Sequence, residues 1–147
     1  MKIAIGNDHT GVELKQELIN HLKNNGHVVE DFGTQSTDRT DYPLYAEKVC
    51  KALVAGEFDR GVLICGTGVG MSITANKFHG IRAVVCTEPY SALMSKKHNN
   101  TNVLCLGSRV LGIELAFMIL DDWLAADFEG GRHQQRLDII KRIEEKY

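Results

Sequence analysis

Gly61-Val62-Leu63-Ile64-Cys65-Gly66-Thr67-Gly68-Val69-Gly70 passes from an unbroken aliphatic run directly into glycines at every second position. A short run of this kind, with no polar residue to face water, reads as a strand covered on both faces. The glycines then make a tight turn, and Met71 to Lys77 reads as a short helix. Strand, glycine turn and helix in that order make one βα step of a parallel sheet.

Working outward, the same step recurs. Lys2 to Ile5, His27 to Asp31, Ile81 to Cys86 and Asn102 to Leu106 read as four further strands. Between the first two, Leu14, Leu18, Ile19 and Leu22 repeat at helical spacing and Asn24-Asn25-Gly26 supplies the stop. Pro43 suits the first turn of a second helix, Pro89 opens another, and Gly112 to Ala125 and Arg132 to Lys146 complete the set. The expectation is a three-layer α/β/α Rossmann-like fold around a five-stranded parallel sheet of order 2-1-3-4-5, with residues 1–147 forming a single domain. No internal repeat, low-complexity tract or linker interrupts it, and Phe32 to Tyr42 is the longest polar loop.

Composition narrows the function classes. A net charge of −2 and 44% hydrophobic residues give no bulk field for nucleic acid or an anionic membrane. Ile113 to Leu120 is the longest nearly apolar run, contains Glu114, and falls far short of the ~20 residues of a membrane span. Met1-Lys2-Ile3-Ala4-Ile5-Gly6 reaches Asp8 without an apolar signal region. Cys50, Cys65, Cys86 and Cys105 lie 15, 21 and 19 positions apart, with neither a C-x-x-C pair nor a zinc-ligand spacing, and read as free thiols of a cytoplasmic protein. His21, His27, His79 and His133 show no metal-ligand spacing either and read as surface or locally bonded residues.

In an open parallel sheet, ligands sit beyond the carboxyl ends of the strands where strand order reverses. That rule selects Gly6-Asn7-Asp8-His9-Thr10-Gly11 and Cys65-Gly66-Thr67-Gly68-Val69-Gly70 as neighbouring loops. The glycine loop lets backbone N–H groups approach an anion, or it serves packing alone; it lacks the letters of a dinucleotide or Walker motif. Cys65, at a strand end before a helix, is either a usable base or nucleophile or one more buried apolar thiol like Cys50, Cys86 and Cys105. Asp8-His9 caps a helix or binds a ligand, and His98-Asn99-Asn100 is a polar turn or a functional one. Arg132 and Arg136 share a helical face and clamp a phosphate or simply face water, and Arg109 is equally open.

Taken together, these segments resemble the ribose-5-phosphate isomerase B family, whose wider group includes allose-6-phosphate and galactose-6-phosphate isomerases. The resemblance runs nearly the whole chain, through Gly6 to Gly11, Arg39-Thr40-Asp41-Tyr42-Pro43, Ile64 to Gly70, Ala75-Asn76-Lys77, Gly80-Ile81-Arg82-Ala83, His98 to Asn102 and Glu129-Gly130-Gly131-Arg132-His133-Gln134-Gln135-Arg136. It implies isomerisation of D-ribose 5-phosphate to D-ribulose 5-phosphate in the pentose phosphate pathway through a cis-enediolate, without metal or organic cofactor. Cys65 would be the base between C2 and C1, and His98, with Thr67, would assist ring opening. Asp8 and His9 would contact sugar or phosphate, and Gly66, Thr67, Gly68, Val69 and Gly70 would stabilise the enediolate oxygens. Asn99 would bind a hydroxyl, Tyr42 would wall the pocket, and Arg109, Arg132 and Arg136 would hold the phosphate. Where some members place a base near the loop end, this chain has Met71, which leaves Cys65.

The competing readings are a hexose-6-phosphate isomerase, a nucleotide-binding module without catalysis, and a thiol redox protein. The last two are opposed by the failed nucleotide motifs and the missing resolving cysteine. One further expectation follows from strand direction. Cys65 ends its strand, whereas His98 and Asn99 precede theirs, so the two sets belong at opposite edges of the sheet, a strand length of ~17 Å apart. A homodimer with shared sites, or a tetramer built as a dimer of dimers, would join them. The helix from Gly112 to Ala125 is apolar on more than one face, as such an assembly would need.

Overall fold

The computed structural model describes all residues, 1–147. Five parallel strands, β1 (Lys2–Asn7), β2 (Val28–Asp31), β3 (Arg60–Cys65), β4 (Ala83–Val85) and β5 (Val103–Gly107), form one sheet. Around it lie α1 (Val12–Asn24), α2 (Tyr42–Val54), α3 (Val69–Ala75), α4 (Pro89–Asn99), α5 (Ile113–Ala125) and α6 (Arg132–Lys146). The period-two alternation of the central strands sorts their side chains between two helical layers. Ile3, Ile5, Val62, Ile64, Leu104 and Leu106 pack with Leu18, Leu22, Ile119 and Trp123 of α1 and α5. Ala4, Leu63, Cys65, Val103 and Cys105 face the other way, onto Val49, Cys50, Met71 and Ala75 of α2 and α3. No helix is long and apolar enough to cross a membrane.

The strand order is β2-β1-β3-β5-β4, which corrects the expected 2-1-3-4-5 at one end. Burial explains the exchange. All five residues of β5 are buried and need a partner on each side, while the three residues of β4 are only half-buried and suit a short edge. β4 is accordingly shorter than the Ile81 to Cys86 run. β2 is the opposite edge, and its Val28 is 61% exposed, so it is not the doubly covered strand expected there. The neighbours that matter for a site are unchanged: Asn7 pairs with Ile64 and Cys65 with Gly107, so the loops after β1, β3 and β5 emerge level at one edge.

Local rules set the element ends. After α1, Gly26 at φ 82° lets its own N–H reach Lys23 O at 3.0 Å and the His27 N–H reach Leu22 O at 3.0 Å, the paired closure of a left-handed helix stop. Pro43 lies in the first turn of α2 and Pro89 opens α4, as read from the sequence. α3 starts at Val69, two residues before the expected Met71, because Gly68 at φ 80° is already its cap.

Candidate active site

Cys65 closes β3 with 5% of its surface exposed, and the Gly68 N–H donates to its Sγ at 3.2 Å. The turn that aims this N–H depends on Gly68, whose φ of 80° and 3.1 Å clearance from the Leu106 carbonyl carbon admit no side chain. Thr67 is exposed and its Oγ1 accepts from the Val69 N–H at 3.3 Å, so the threonine braces the loop as well as facing outward. A Cβ at Gly70 would lie 2.6 Å from Tyr42 Cζ, so the Tyr42 ring rests directly on the glycine loop, as a pocket wall would. Burial pushes Cys50 up to about 12 and Cys86 up to about 11, and drives Cys105 well above the ordinary thiol range.

Asp8 is 5% exposed, and its Oδ1 accepts from the Thr10 N–H at 2.9 Å and the Thr10 hydroxyl at 2.6 Å. It therefore caps the one-turn helix His9–Gly11, which leaves His9 half-exposed at the mouth. His9 Nδ1 accepts from the Thr40 N–H at 3.3 Å, so the long polar loop folds back over the strand ends. A buried cation holds that loop: Lys15 Nζ donates to Thr34 O at 2.7 Å and pairs with Asp31 at 2.9 Å. Neither Lys15 nor Ser108 stood out in the sequence. Ser108 Oγ donates to Thr10 Oγ1 and to Cys65 O at 3.2 Å each, tying the three carboxyl-end loops together. The Arg109 N–H donates to Gly66 O at 3.1 Å, and its side chain runs past Gly66 without an ion pair, a guanidinium free to meet an anion beside the thiol.

The remaining candidates lie elsewhere. α4 descends from the carboxyl edge, so His98 and Asn99 reach the amino edge, five and four positions before β5 begins. Asn99 is exposed, and His98 is half-exposed. Arg132 and Arg136 are both exposed on the first turns of α6, which packs against α4, and neither is in an ion pair. His133, between them, is expected at the surface or locally bonded, and it is neither exposed nor hydrogen-bonded at Nδ1. It is 4% exposed, with its ring stacked on that of His98 at 4.2 Å between centroids, and Glu129 stands beside both. The chain thus gathers Asp8, His9, Tyr42, the Cys65–Gly70 loop and Arg109 at one edge, and His98, Asn99, Arg132 and Arg136 at the other.

Comparison with known proteins finds relatives that match over almost the whole chain. Ribose-5-phosphate isomerase B of Escherichia coli strain K12 is 61% identical over 145 residues, covering 99% of this chain and 97% of that protein. The solved structure of Clostridium thermocellum ribose-5-phosphate isomerase B superposes with a TM-score of 0.98 at 54% identity, over 100% of this chain and 99% of the other. That of Mycoplasma genitalium ribose-5-phosphate isomerase B with bound ribulose-5-phosphate gives 0.94 at 42% identity, over 99% and 97%. A family model described as Ribose/Galactose Isomerase matches residues 3–140, which takes in the glycine loop, His9, His98, His133 and all three candidate arginines. With the fold and the whole-length matches in agreement, the chain belongs to the ribose/galactose isomerase family.

Proposed function

We propose that this protein interconverts D-ribose 5-phosphate and D-ribulose 5-phosphate, with Cys65 as the base. The observation that carries the reading is the Cys65 thiol at the end of β3, met by the Gly68 N–H at 3.2 Å, with the Tyr42 ring resting on Gly70 of the loop that follows. The thiolate takes the proton from C2 of the open-chain aldose while the C2–H electron pair forms the C1–C2 double bond and O1 takes up a proton. The thiol then returns its proton to C1 as O2 loses its own and becomes the ketone oxygen. The negative charge that develops on oxygen is what the N–H groups of the Gly66–Gly70 loop are suited to meet, and one such donor is worth about 2.7–4 kcal/mol in a closed site. Asp8 fixes the loop that presents His9 to the sugar. Arg109, Arg132 and Arg136 take the phosphate, Asn99 takes a hydroxyl, and His98 with Thr67 serves ring opening. No metal or organic cofactor enters these steps.

The site is completed by a second copy of the chain, in a homodimer or in a tetramer of two such dimers. Support comes from the separation of Cys65 and His98 by the length of the sheet, ~17 Å for a five-residue strand. It also comes from α5, which buries Ala116, Ile119, Leu120 and Trp123 yet leaves Met118 57% exposed. The testing experiment is a coupled assay offering ribose 5-phosphate, allose 6-phosphate and galactose 6-phosphate in parallel. Ribose 5-phosphate is expected to give the highest kcat/KM. A preference for either hexose phosphate replaces the substrate assignment, and turnover of none of the three overturns the reading.

A further inference from the structure

The amino-edge cluster holds more than the residues assigned so far. The His98 and His133 rings lie face to face, centroids 4.2 Å apart and planes within 6°. Glu129 Oε2 is 3.7 Å from Nε2 of each ring, and Oε1 of the same carboxylate is 3.7 Å from Lys97 Nζ. His133 is 4% exposed and its Nδ1 has no partner. The backbone is shaped to make this contact. The Glu129 N–H donates to Lys97 O at 3.0 Å, Gly130 and Gly131 turn at φ 64° and 54°, and the His133 N–H donates to Gly130 O at 3.0 Å. Nothing would lie within 4 Å of a Cβ at either glycine, so it is the backbone turn, not packing, that calls for glycine there. Residues 129–133 are thereby folded against the last turn of α4, where His98 stands.

Two histidines and a carboxylate are also the composition of a transition-metal site. The stacking argues against that use. An imidazole binds a metal along a lone pair in its own plane, and two parallel planes do not meet at one ion. Burial, together with the nearby His98, Arg132 and Arg136, outweighs Glu129 and lowers the His133 pKa.

We propose that Glu129 and His133 are positioning residues for His98, the buried His133 ring fixing the plane in which the His98 imidazole stands and the Glu129 carboxylate fixing its edge. The inference rests on the isomerase reading and extends it by a ring-orienting pair. In the ring-opening step the C1–O4 bond of the furanose breaks and its electron pair passes to O4. O4 takes a proton from His98, and the anomeric hydroxyl gives its proton to water as the aldehyde forms. A ring that rotates freely delivers that proton from the wrong direction for most of the time, and positioning of this kind acts on kcat.

Ring opening can be separated from the enediolate steps, because ribulose 5-phosphate has its C5 oxygen esterified and is acyclic. The experiment measures, on the full-length enzyme, steady-state conversion of ribose 5-phosphate and solvent deuterium exchange into C1 of ribulose 5-phosphate. Glu129→Ala and His133→Ala are expected to lower kcat on ribose 5-phosphate by about tenfold or more with KM within about threefold, while exchange stays within about threefold of wild type. His133→Phe, which keeps a flat ring against His98, is expected to restore kcat to within about threefold. The proposal is overturned if both alanine variants turn over ribose 5-phosphate like wild type, if exchange falls together with turnover, or if His133→Phe is as impaired as His133→Ala. Cys65→Ala keeps the underlying reading separate: retained exchange in that variant removes the isomerase mechanism itself, whereas lost exchange leaves the Glu129 and His133 results to decide.

Discussion

A thiol at the end of a strand becomes chemistry only through its surroundings, and here the cysteines separate on that ground. Cys50 lies within α2 and Cys105 within β5, whereas Cys65 closes β3 and its Sγ receives the Gly68 N–H at 3.2 Å at the lip of the glycine loop. Cys65→Ala is therefore expected to lower kcat by about 10²–10⁴ while leaving the melting temperature and sugar-phosphate binding near wild type, since general-base catalysis is lost and the phosphate groups are not. Turnover within tenfold of wild type, with binding measured by calorimetry on the same sample, would remove Cys65 as the base. The place of Cys65 at a strand end before a glycine turn was legible beforehand, because strand direction and a following glycine turn are local properties, while its role as base entered only with the family resemblance. His133 and Glu129 were not. Nothing in the spacing of His98 and His133 along the chain says that their rings stack, since the contact is made by the left-handed turn at Gly130 and Gly131.

Among the elements, α4 carries a strain of its own. Lys96 is 4% exposed, forms no ion pair, and donates from Nζ to Asn100 Oδ1 at 2.6 Å. Burial lowers its pKa from 10.5 to about 8, the Arg60 and Arg82 charges add to the effect, and Asp127 opposes it. Because the folded-state value lies below the unfolded one, the unfolded chain binds more protons between about pH 8 and 10.5, and the Lys96 contribution to stability rises with pH through that window. Below pH 8 the cost of the buried charge is fully present. Lys96→Met removes that cost along with one hydrogen bond, so its stability relative to wild type should be greatest at pH 7. By pH 10 the difference should have shrunk by on the order of 2 kcal/mol. Urea unfolding of both proteins at equal concentration at the two pH values measures it, and a difference that does not change with pH would show that the charge carries no such cost. The elements themselves followed from periodicity and from proline and glycine punctuation. The exchange of β4 and β5 did not, since it depends on which strand is covered and paired on both sides, a property of the packed sheet and not of either segment.

For the whole molecule, the decisive fact is that a parallel sheet has two distinct edges. Cys65 pairs with Gly107 at the carboxyl edge, while α4 returns His98 and Asn99 to the edge where β5 begins at Val103. One small sugar does not span ~17 Å, so a catalyst that uses both sets needs two chains arranged about a two-fold axis. In such an assembly each site takes Cys65 from one copy and His98 from the other. Cys65→Ala and His98→Asn proteins, each inactive alone, can then complement one another. A mixed dimer holds one site with both residues intact and one with neither. Random pairing of equal amounts makes about half of the dimers mixed, so co-refolded protein should recover up to about a quarter of the wild-type activity. The same two proteins folded separately and mixed afterwards should recover activity only as fast as subunits exchange. A co-refolded mixture that stays inactive although mixed dimers are demonstrated by mass, or a wild type that is an active monomer at the assay concentration, would place Cys65 and His98 in separate functions and remove the shared site.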